Sequence, residues 1–94
     1  DKPFFVAEFG AAKDNPLCDQ ADWARAALTD IFADRWPRLM AFSWWNERWP
    51  NDDNPAHDAT LRLQDNPALA AIFQELVGAN PRALGRPLLQ AEPE

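Results

Sequence analysis

Two nearly continuous apolar runs constrain the fold of this chain most strongly. The first run spans Phe4–Phe9 and the second spans Leu39–Trp45. Runs with little alternation between apolar and polar residues are typical of strands that are covered on both faces. A helical pattern separates the two runs, so the order of elements is strand, helix, strand. Two such strands predict a parallel pair that is joined by a right-handed crossover.

Two amphipathic helices accompany the predicted strands. Asp19 or Asp22 can cap the first helix, which we expect to run to about Asp34. Asn66 caps the second, with Pro67 at its first position and Gly78 suited to the position after its end. One face of each helix is apolar. The first stripe comprises Trp23, Ala24, Ala27, Leu28, Ile31 and Phe32, and the second comprises Leu69, Ile72, Phe73, Leu76 and Val77.

The segments between these elements contain many turn-forming residues. Residues 46–60, "NERWPNDDNPAHDAT", predict a long polar loop, and Leu61–Leu63 predicts a short extended turn. Residues 79–94 predict a proline-containing tail. The resulting α/β arrangement has only two strands and two helices, which leaves one sheet face bare and both strand edges open. The pattern therefore predicts further βα units beyond those that this segment supplies.

Composition narrows the class of protein and of partner. The chain has 94 residues, 47% of them hydrophobic, which is too apolar for a disordered chain. A net charge of −6 argues against a nucleic-acid partner, because nucleic-acid-binding proteins carry a basic face. No apolar run is long enough to predict a membrane span. The single cysteine, Cys18, has no partner for an internal disulfide or a metal cluster.

Glu8 is the first candidate for chemistry, because it interrupts an apolar run close to its carboxyl end. Ligand sites of parallel α/β folds form at that end of the strands. Strand alternation predicts that Phe4, Val6 and Glu8 share one face, and Gly10 would let the backbone turn away sharply. The alternative is a strand-end glutamate that forms an ion pair with an arginine.

The second strand ends in "SWWNERW", which places three tryptophans near the same end of the sheet. Trp44, Trp45 and Trp49 offer flat apolar faces that suit the C–H surface of a sugar ring. The alternative is that they are core or interface aromatics. Asn46 is followed by Glu47, which adds a second carboxylate, and a carboxylate pair is the usual equipment for glycoside hydrolysis. His57 with its neighbouring aspartates matches no strong metal-ligand spacing, so we expect neither a metal nor a cofactor.

Four stretches together resemble a known family. "KPFFVAEFGAA", the helix containing "DWARAAL", "RWPRLMAFSWWNE" and "LRLQDNPALAAIFQELV" are similar to the end of a retaining clan A glycoside hydrolase, most like family 26, the β-mannanases. The resemblance covers roughly residues 2–77. Those enzymes are TIM barrels, (β/α)8. The resemblance would make residues 4–9 strand seven, 23–33 helix seven, 39–45 strand eight and 67–77 helix eight.

The resemblance implies roles for individual residues. The glutamate of "AEFG" is the family's catalytic nucleophile, and Glu8 is the matching position. Trp44 best matches the tryptophan that closes strand eight beneath the sugar, with Trp45 as the alternative, and we expect Trp49 and Asn46 also to bind substrate. In the clan, the Asn-Glu pair of the acid/base precedes the nucleophile. Glu47 follows it, so the implied acid/base lies outside this chain.

The residue patterns and the resemblance together predict an incomplete domain that acts on carbohydrate. Residues 1–78 would be the C-terminal quarter of a TIM barrel and residues 79–94 its tail, with the remaining barrel strands and a β-linked polysaccharide as partners. The resemblance implies a secreted or periplasmic enzyme, although the segment shows no signal peptide. Two alternatives stay open. One is a barrel that binds or scaffolds carbohydrate without catalysis, and the other is a small α/β interaction domain that dimerises through its strand edges.

Overall fold

The computed structural model describes residues 2–83 and contains a small α/β domain. Its regular elements, in chain order, are β1 (Phe4–Phe9), α1 (Gln20–Phe32), β2 (Leu39–Trp44), β3 (Arg48–Trp49), β4 (Ala59–Thr60) and α2 (Pro67–Phe73). Strands β1 and β2 pair in parallel, which confirms the predicted β1-α1-β2 unit. The predicted bounds of β1 are confirmed, and β2 ends one residue before Trp45.

The register of β1 and β2 changes twice. Phe4 pairs with Leu39 but Phe5 pairs with Ala41, so β2 carries an additional residue there. Further along, Val6 pairs with Phe42 and Phe9 pairs with Trp44. Two residues of β1 therefore lie opposite one residue of β2. Irregularities of this kind bend a strand and redirect its side chains, and they are frequent next to functional sites.

Side-chain caps fix the start of both helices. The Asp19 carboxylate accepts a hydrogen bond of 3.0 Å from the backbone N–H of Asp22, as one of the two predicted caps requires. The Asn66 side chain accepts from the N–H groups of Ala68 and Leu69 at the start of α2. Each cap satisfies donors that have no partner within the helix.

The buried core lies mainly where α1 and α2 meet. Ala24, Leu28 and Leu69 are fully buried, and Ala21 and Ile72 complete the cluster. The strands contribute to it with one face only, through aromatic side chains that are partly buried against the helices. These are Phe9, Phe42 and Trp44.

The described residues cover only one face of the two strands, and cover for the other face would have to come from outside them. Phe5 is 65% exposed and Met40 is 72% exposed. The helices cover a single face, and no third strand pairs with β1 or β2 within residues 2–83. The predicted bare face and open edges are therefore present in this part of the chain, since two strands and two helices cannot enclose each other.

The segment between β2 and α2 is more ordered than the predicted loop. Strands β3 and β4 form a short antiparallel ribbon within it, with Arg48 opposite Thr60 and Trp49 opposite Ala59. A 3-10 turn at Pro55–His57 lies between them, and the Asn54 side chain accepts from the N–H of Ala56 at its start. The prediction of one long loop over residues 46–60 is therefore wrong near its two ends, where two residues on each side pair.

The second helix ends differently from the prediction. Beyond Phe73 it continues as a π turn over Gln74–Gly78, and the N–H of Ala79 donates to the carbonyl of Gln74 over 3.1 Å. Gly78 lies inside this turn without a positive φ, so its predicted role after the helix end is wrong. The last eleven residues of the predicted tail, 84–94, lie outside the described residues. Among the helices described, none is long and apolar enough to cross a membrane.

Candidate functional site

Glu8 lies at the carboxyl end of β1 and is exposed. The six ion pairs among the described residues do not include it. This geometry does not support the alternative in which Glu8 ends the strand in an ion pair with an arginine. The carboxylate is therefore accessible at the end of the sheet where parallel α/β folds place their ligand sites.

The irregular pairing near Glu8 shows that the predicted alternation of side chains is wrong for this part of β1. Phe4, Val6 and Phe9 line one groove of about 370 Å³ between the sheet and α1, and Glu8 does not line it. Val6 and Phe9 are three residues apart, so strict alternation would have placed them on opposite faces. The additional residue in β1 brings Phe9 back to the helix face, and leaves Ala7 and Glu8, both exposed, away from the groove.

Trp45 and Trp49 form an exposed aromatic pair beside the end of β1. Their ring centroids are 6.1 Å apart at an interplanar angle of 85°. Each side chain is 38% exposed. The backbone N–H of Trp45 donates to the carbonyl of Phe9 over 2.9 Å, which joins the pair to the residue that follows Glu8. An apolar ring and an N–H donor are thus available to a ligand at this end of the sheet.

Trp44 faces the opposite way, into the helix-covered side. Its ring contacts those of Phe9, Trp23 and Phe73, with centroids 5.1–6.1 Å apart. Its indole Nε1–H donates to the carbonyl of Leu61 over 2.7 Å. Because both the ring and the donor already have partners, Trp44 is placed as a packing residue, and Trp45 is the better candidate for the sugar-facing tryptophan.

Asn46 and Glu47 hold the chain that returns toward α2. The Asn46 Oδ1 atom accepts from the N–H of Leu63 over 2.8 Å, and the Glu47 carbonyl accepts from the N–H of Leu61 over 2.9 Å. The side-chain oxygen of Asn46 is therefore occupied within the protein, while its amide nitrogen is available to a ligand. We call the segment Leu61–Leu63, held by Trp44, Asn46 and Glu47, the clasp.

Gly10 is required by the clasp and not by a turn. Its backbone has no positive φ, so the predicted conformational reason for a glycine is wrong. A Cβ atom at this position would overlap the Cδ2 methyl of Leu61, which is buried. The absence of a side chain at Gly10 lets the clasp pack directly against the end of β1.

A charged cluster joins the clasp to the residues on either side of it. Arg62 donates to both carboxylate oxygens of Asp65, over 2.8 and 2.9 Å, and the Thr60 hydroxyl donates to Asp65 over 2.6 Å. These bonds to the charged form, first that from Arg62, lower the pKa of Asp65 to about 2. The hydrogen bond to Asp65 likewise raises the pKa of Arg62. Both groups are charged across the physiological range.

A second hydrogen-bonded pair, Asp52 and His57, is exposed in the segment between β3 and β4. The Asp52 carboxylate and His57 Nδ1 are 2.7 Å apart, and this hydrogen bond lowers the pKa of Asp52, with a smaller contribution from the Asn54 N–H. Asp58 pairs with Arg48 over 3.2 Å instead of joining them. No group of three or more potential metal ligands occurs within residues 2–83.

Gln20 is a site residue that the sequence pattern did not reveal. Its side chain is at the start of α1, is 2% exposed and bonds to three separate segments. A polar residue before an apolar helical stripe ordinarily predicts a solvated position. No sequence signal would have identified Gln20, since its partners are two backbone carbonyls and one side chain distant along the chain.

In comparisons with known proteins, no family model matches the chain, and neither a curated protein nor a solved structure matches it at a significant level. The family resemblance therefore stays a prediction.

Proposed function

We propose that this chain is part of a retaining glycoside hydrolase of the (β/α)8 type, most like family 26, that cleaves a β-mannan or a related β-linked glycan. In this proposal Glu8 is the nucleophile. The 94-residue chain supplies the last two βα units and is inactive alone. The substrate-binding residues are two exposed tryptophans, Trp45 directly after β2 and Trp49 in β3, with Asn46 between them in the chain.

The proposal rests on the position of Glu8 relative to an exposed tryptophan pair. Glu8, an exposed carboxylate that forms no ion pair among the described residues, stands at the carboxyl end of a parallel strand. Trp45, which follows the same end of the neighbouring strand, forms an exposed aromatic pair with Trp49 of β3. The hydrogen bond from the Trp45 N–H to the Phe9 carbonyl joins the backbone beside Glu8 to the backbone of the tryptophan pair. A carboxylate beside an aromatic platform is the arrangement that glycoside cleavage needs, with one group for the anomeric carbon and the other for the ring.

Exposed apolar surface on both sides of the sheet supports the larger architecture. Phe5 on the bare face is mostly exposed, and on the helix side the groove lined by Phe4 and Trp36 is apolar and open. Additional strands beside β1 and β2 would satisfy the open edges, and a helix from a neighbouring βα unit would fill the groove. A closed barrel supplies both.

The proposed chemistry has two steps. Glu8 attacks the anomeric carbon as the leaving-group oxygen takes a proton from a second carboxylic acid, which gives a glycosyl-enzyme ester. That second group, about 5–5.5 Å from the nucleophile in retaining enzymes, then removes a proton from water, and the water cleaves the ester. The configuration at the anomeric carbon is retained. Glu47 is not assigned to this second role, because it follows the nucleophile in the chain.

The experiment uses the full-length natural protein with soluble β-mannan and a panel of β-glycan oligosaccharides. We expect the wild type to release reducing ends, Glu8→Gln to abolish turnover, and Glu47→Gln to retain it. A 2-deoxy-2-fluoro β-glycoside with a good leaving group should leave a covalent sugar on the peptide that contains Glu8. Turnover by Glu8→Gln equal to wild type would remove Glu8 from the nucleophile role.

Two other functions would give different results in the same assay. Oligosaccharide binding without turnover by the wild type would favour a barrel that binds carbohydrate and does not cleave it. The exposed edges of β1 and β2 favour a small interaction domain as the remaining candidate. That function predicts neither binding nor turnover, and a 94-residue chain that dimerises in sedimentation equilibrium.

A further inference from the structure

We propose that Gln20 is a positioning residue that holds the loop following β1 and the segment entering the clasp in a single arrangement, and so sets Glu8 relative to Trp45. The role of Gln20 in joining these segments follows from its own contacts. The consequence for Glu8 rests on the function proposed above.

The contacts of Gln20 reach three parts of the chain. Its Nε2 donates to the carbonyl of Ala11 over 2.7 Å and to that of Thr60 over 3.3 Å. Its Oε1 accepts from Nδ2 of Asn66 over 3.0 Å. Ala11 follows β1, Thr60 ends β4 and Asn66 caps α2. The amide thus has partners for both of its donors and for its oxygen, in a position where an unmade hydrogen bond is costly.

The connection from Gln20 to the candidate site is short on both sides. On one side, Ala11 follows Gly10 directly, and Glu8 is two residues before Gly10. On the other side, Thr60 leads directly into Leu61, whose carbonyl accepts from Trp44 and whose N–H donates to Glu47. Trp45 lies between Trp44 and Glu47 in the chain. Gln20 therefore fixes the exits of β1 and β2 against each other.

A second bond between the same segments shows where loosening would be detected. The backbone N–H of Lys13 donates to the carbonyl of Thr60 over 2.9 Å, next to the Gln20 contact. Its exchange with solvent deuterium reports local separation of the loop from β4. The amide of Leu28, in the middle of α1 and at the centre of the core, reports opening of the whole domain.

The test variant is Gln20→Glu, with Gln74→Glu as a matched control at an exposed position. The carboxylate of the variant has the shape of the wild-type amide but donates no hydrogen bond. It would face the carbonyl oxygens of Ala11 and Thr60, which also only accept. Burial raises the pKa of such a carboxyl group, and its neutral form donates one bond again. The variant should therefore approach the wild type at low pH and depart from it as the pH rises.

In the full-length natural protein we expect Gln20→Glu, above that transition, to accelerate exchange of the Lys13 amide about 10- to 100-fold, as loss of a buried hydrogen bond implies. Leu28 exchange should accelerate by no more than the same factor, because a hydrogen bond lost from the native state also lowers the free energy of opening the whole domain. Turnover should fall by about 10- to 100-fold with KM nearly constant, since misplacing a reacting group acts on the chemical step. Wild-type Lys13 exchange in the variant, or equal acceleration of Lys13 exchange in the Gln74→Glu control, would overturn the positioning role.

A milder variant covers the case in which Gln20→Glu does not fold. Asn66→Ser keeps a side-chain cap for α2 and removes the amide that bonds to Gln20 Oε1. It should accelerate Lys13 exchange by a smaller factor, and unchanged exchange would also overturn the proposal.

Exchange does not depend on catalysis, so the two proposals fail separately. A wild type without hydrolase activity contradicts the proposed function and the link to Glu8, while Lys13 exchange still decides whether Gln20 joins the segments. Faster Lys13 exchange in a variant with wild-type turnover would overturn only the link to Glu8.

Discussion

Trp44 and Trp45 are adjacent in the chain and have opposite environments. Trp44 is enclosed by three aromatic rings and its indole N–H is bonded to Leu61. Trp45 touches Trp49 and remains 38% exposed. The same residue type thus serves packing at one position and offers a free surface at the next. The difference follows from the alternation of side chains along a strand, because one face meets the helices and the other does not.

The two sides of the sheet repeat this difference on a larger scale. The helix side contains Leu28 and Leu69, both fully buried, and the side-chain caps of Asp19 and Asn66 fix the helices that form it. The open side has the exposed Phe5, and Glu8 lies outside the helix-side groove. Stability of this chain should therefore depend on the helix side, and ligand binding on the residues that the helices leave exposed.

The largest expected effect is on the packed tryptophan. Trp44→Ala should lower the free energy of unfolding by about 3–5 kcal/mol, the usual cost of removing a large packed aromatic side chain. Trp45→Ala should lower it by about 0.5–1.5 kcal/mol, the worth of one aromatic pair. Urea titrations followed by circular dichroism measure both values. Equal losses of unfolding free energy in the two variants would contradict the assignment of Trp44 to packing and of Trp45 to the free surface.

Gly10→Ala should have the next largest effect. The added methyl group must displace Leu61, and overpacking of this kind costs about 1–3 kcal/mol. The double variant Gly10→Ala with Leu61→Ala should recover part of the loss, because the smaller side chain makes room. Gly78→Ala is the control, since its nearest new contact would be an ordinary one at 3.8 Å. A neutral Gly10→Ala would show that the clasp does not depend on close contact with β1.

The pattern of apolar residues predicted the elements well because it reflects burial against neighbouring helices. The span of β1, the parallel pairing and the Asn66 cap followed from short-range rules that this chain obeys. The position of Glu8 at the carboxyl end of a strand followed as well. The prediction of the sheet face on which Phe9 lies was wrong, because no periodicity in the sequence indicates an additional residue in β1.

Long-range hydrogen bonds account for what the sequence could not predict about the candidate site. The contact of Gln20 with Thr60 joins residues 40 positions apart, and Trp44 reaches Leu61 across 17 positions. Such bonds depend on the final arrangement of the loops and leave no local pattern. The steric reason for Gly10 is of the same kind, because it depends on a leucine that is distant in the chain.

Asp65 should produce a smaller effect that appears only in acid. Its pKa in the folded chain is about 2, below the ordinary 3.8, so the unfolded chain binds protons more readily. The stabilisation from Asp65 is therefore present above about pH 4 and is lost as the pH falls toward 2. Thermal unfolding from pH 6 to pH 2 should show this loss in the wild type, and Asp65→Asn should reduce it. An identical acid dependence in the variant would contradict the assignment.

Phe5 should give the smallest effect in the 94-residue chain and the sharpest test of the open side. Phe5→Ala removes a side chain that is 65% exposed, so its free energy of unfolding should change by about 0.5 kcal/mol or less. Phe42→Ala, on the partly buried helix face, is the matched control and should cost several times more. In the full-length natural protein, a barrel would cover Phe5, and the same substitution should then cost about 3–5 kcal/mol. A loss that stays small there would mean that no further strand or core covers this face, which contradicts the barrel on which the proposed nucleophile depends.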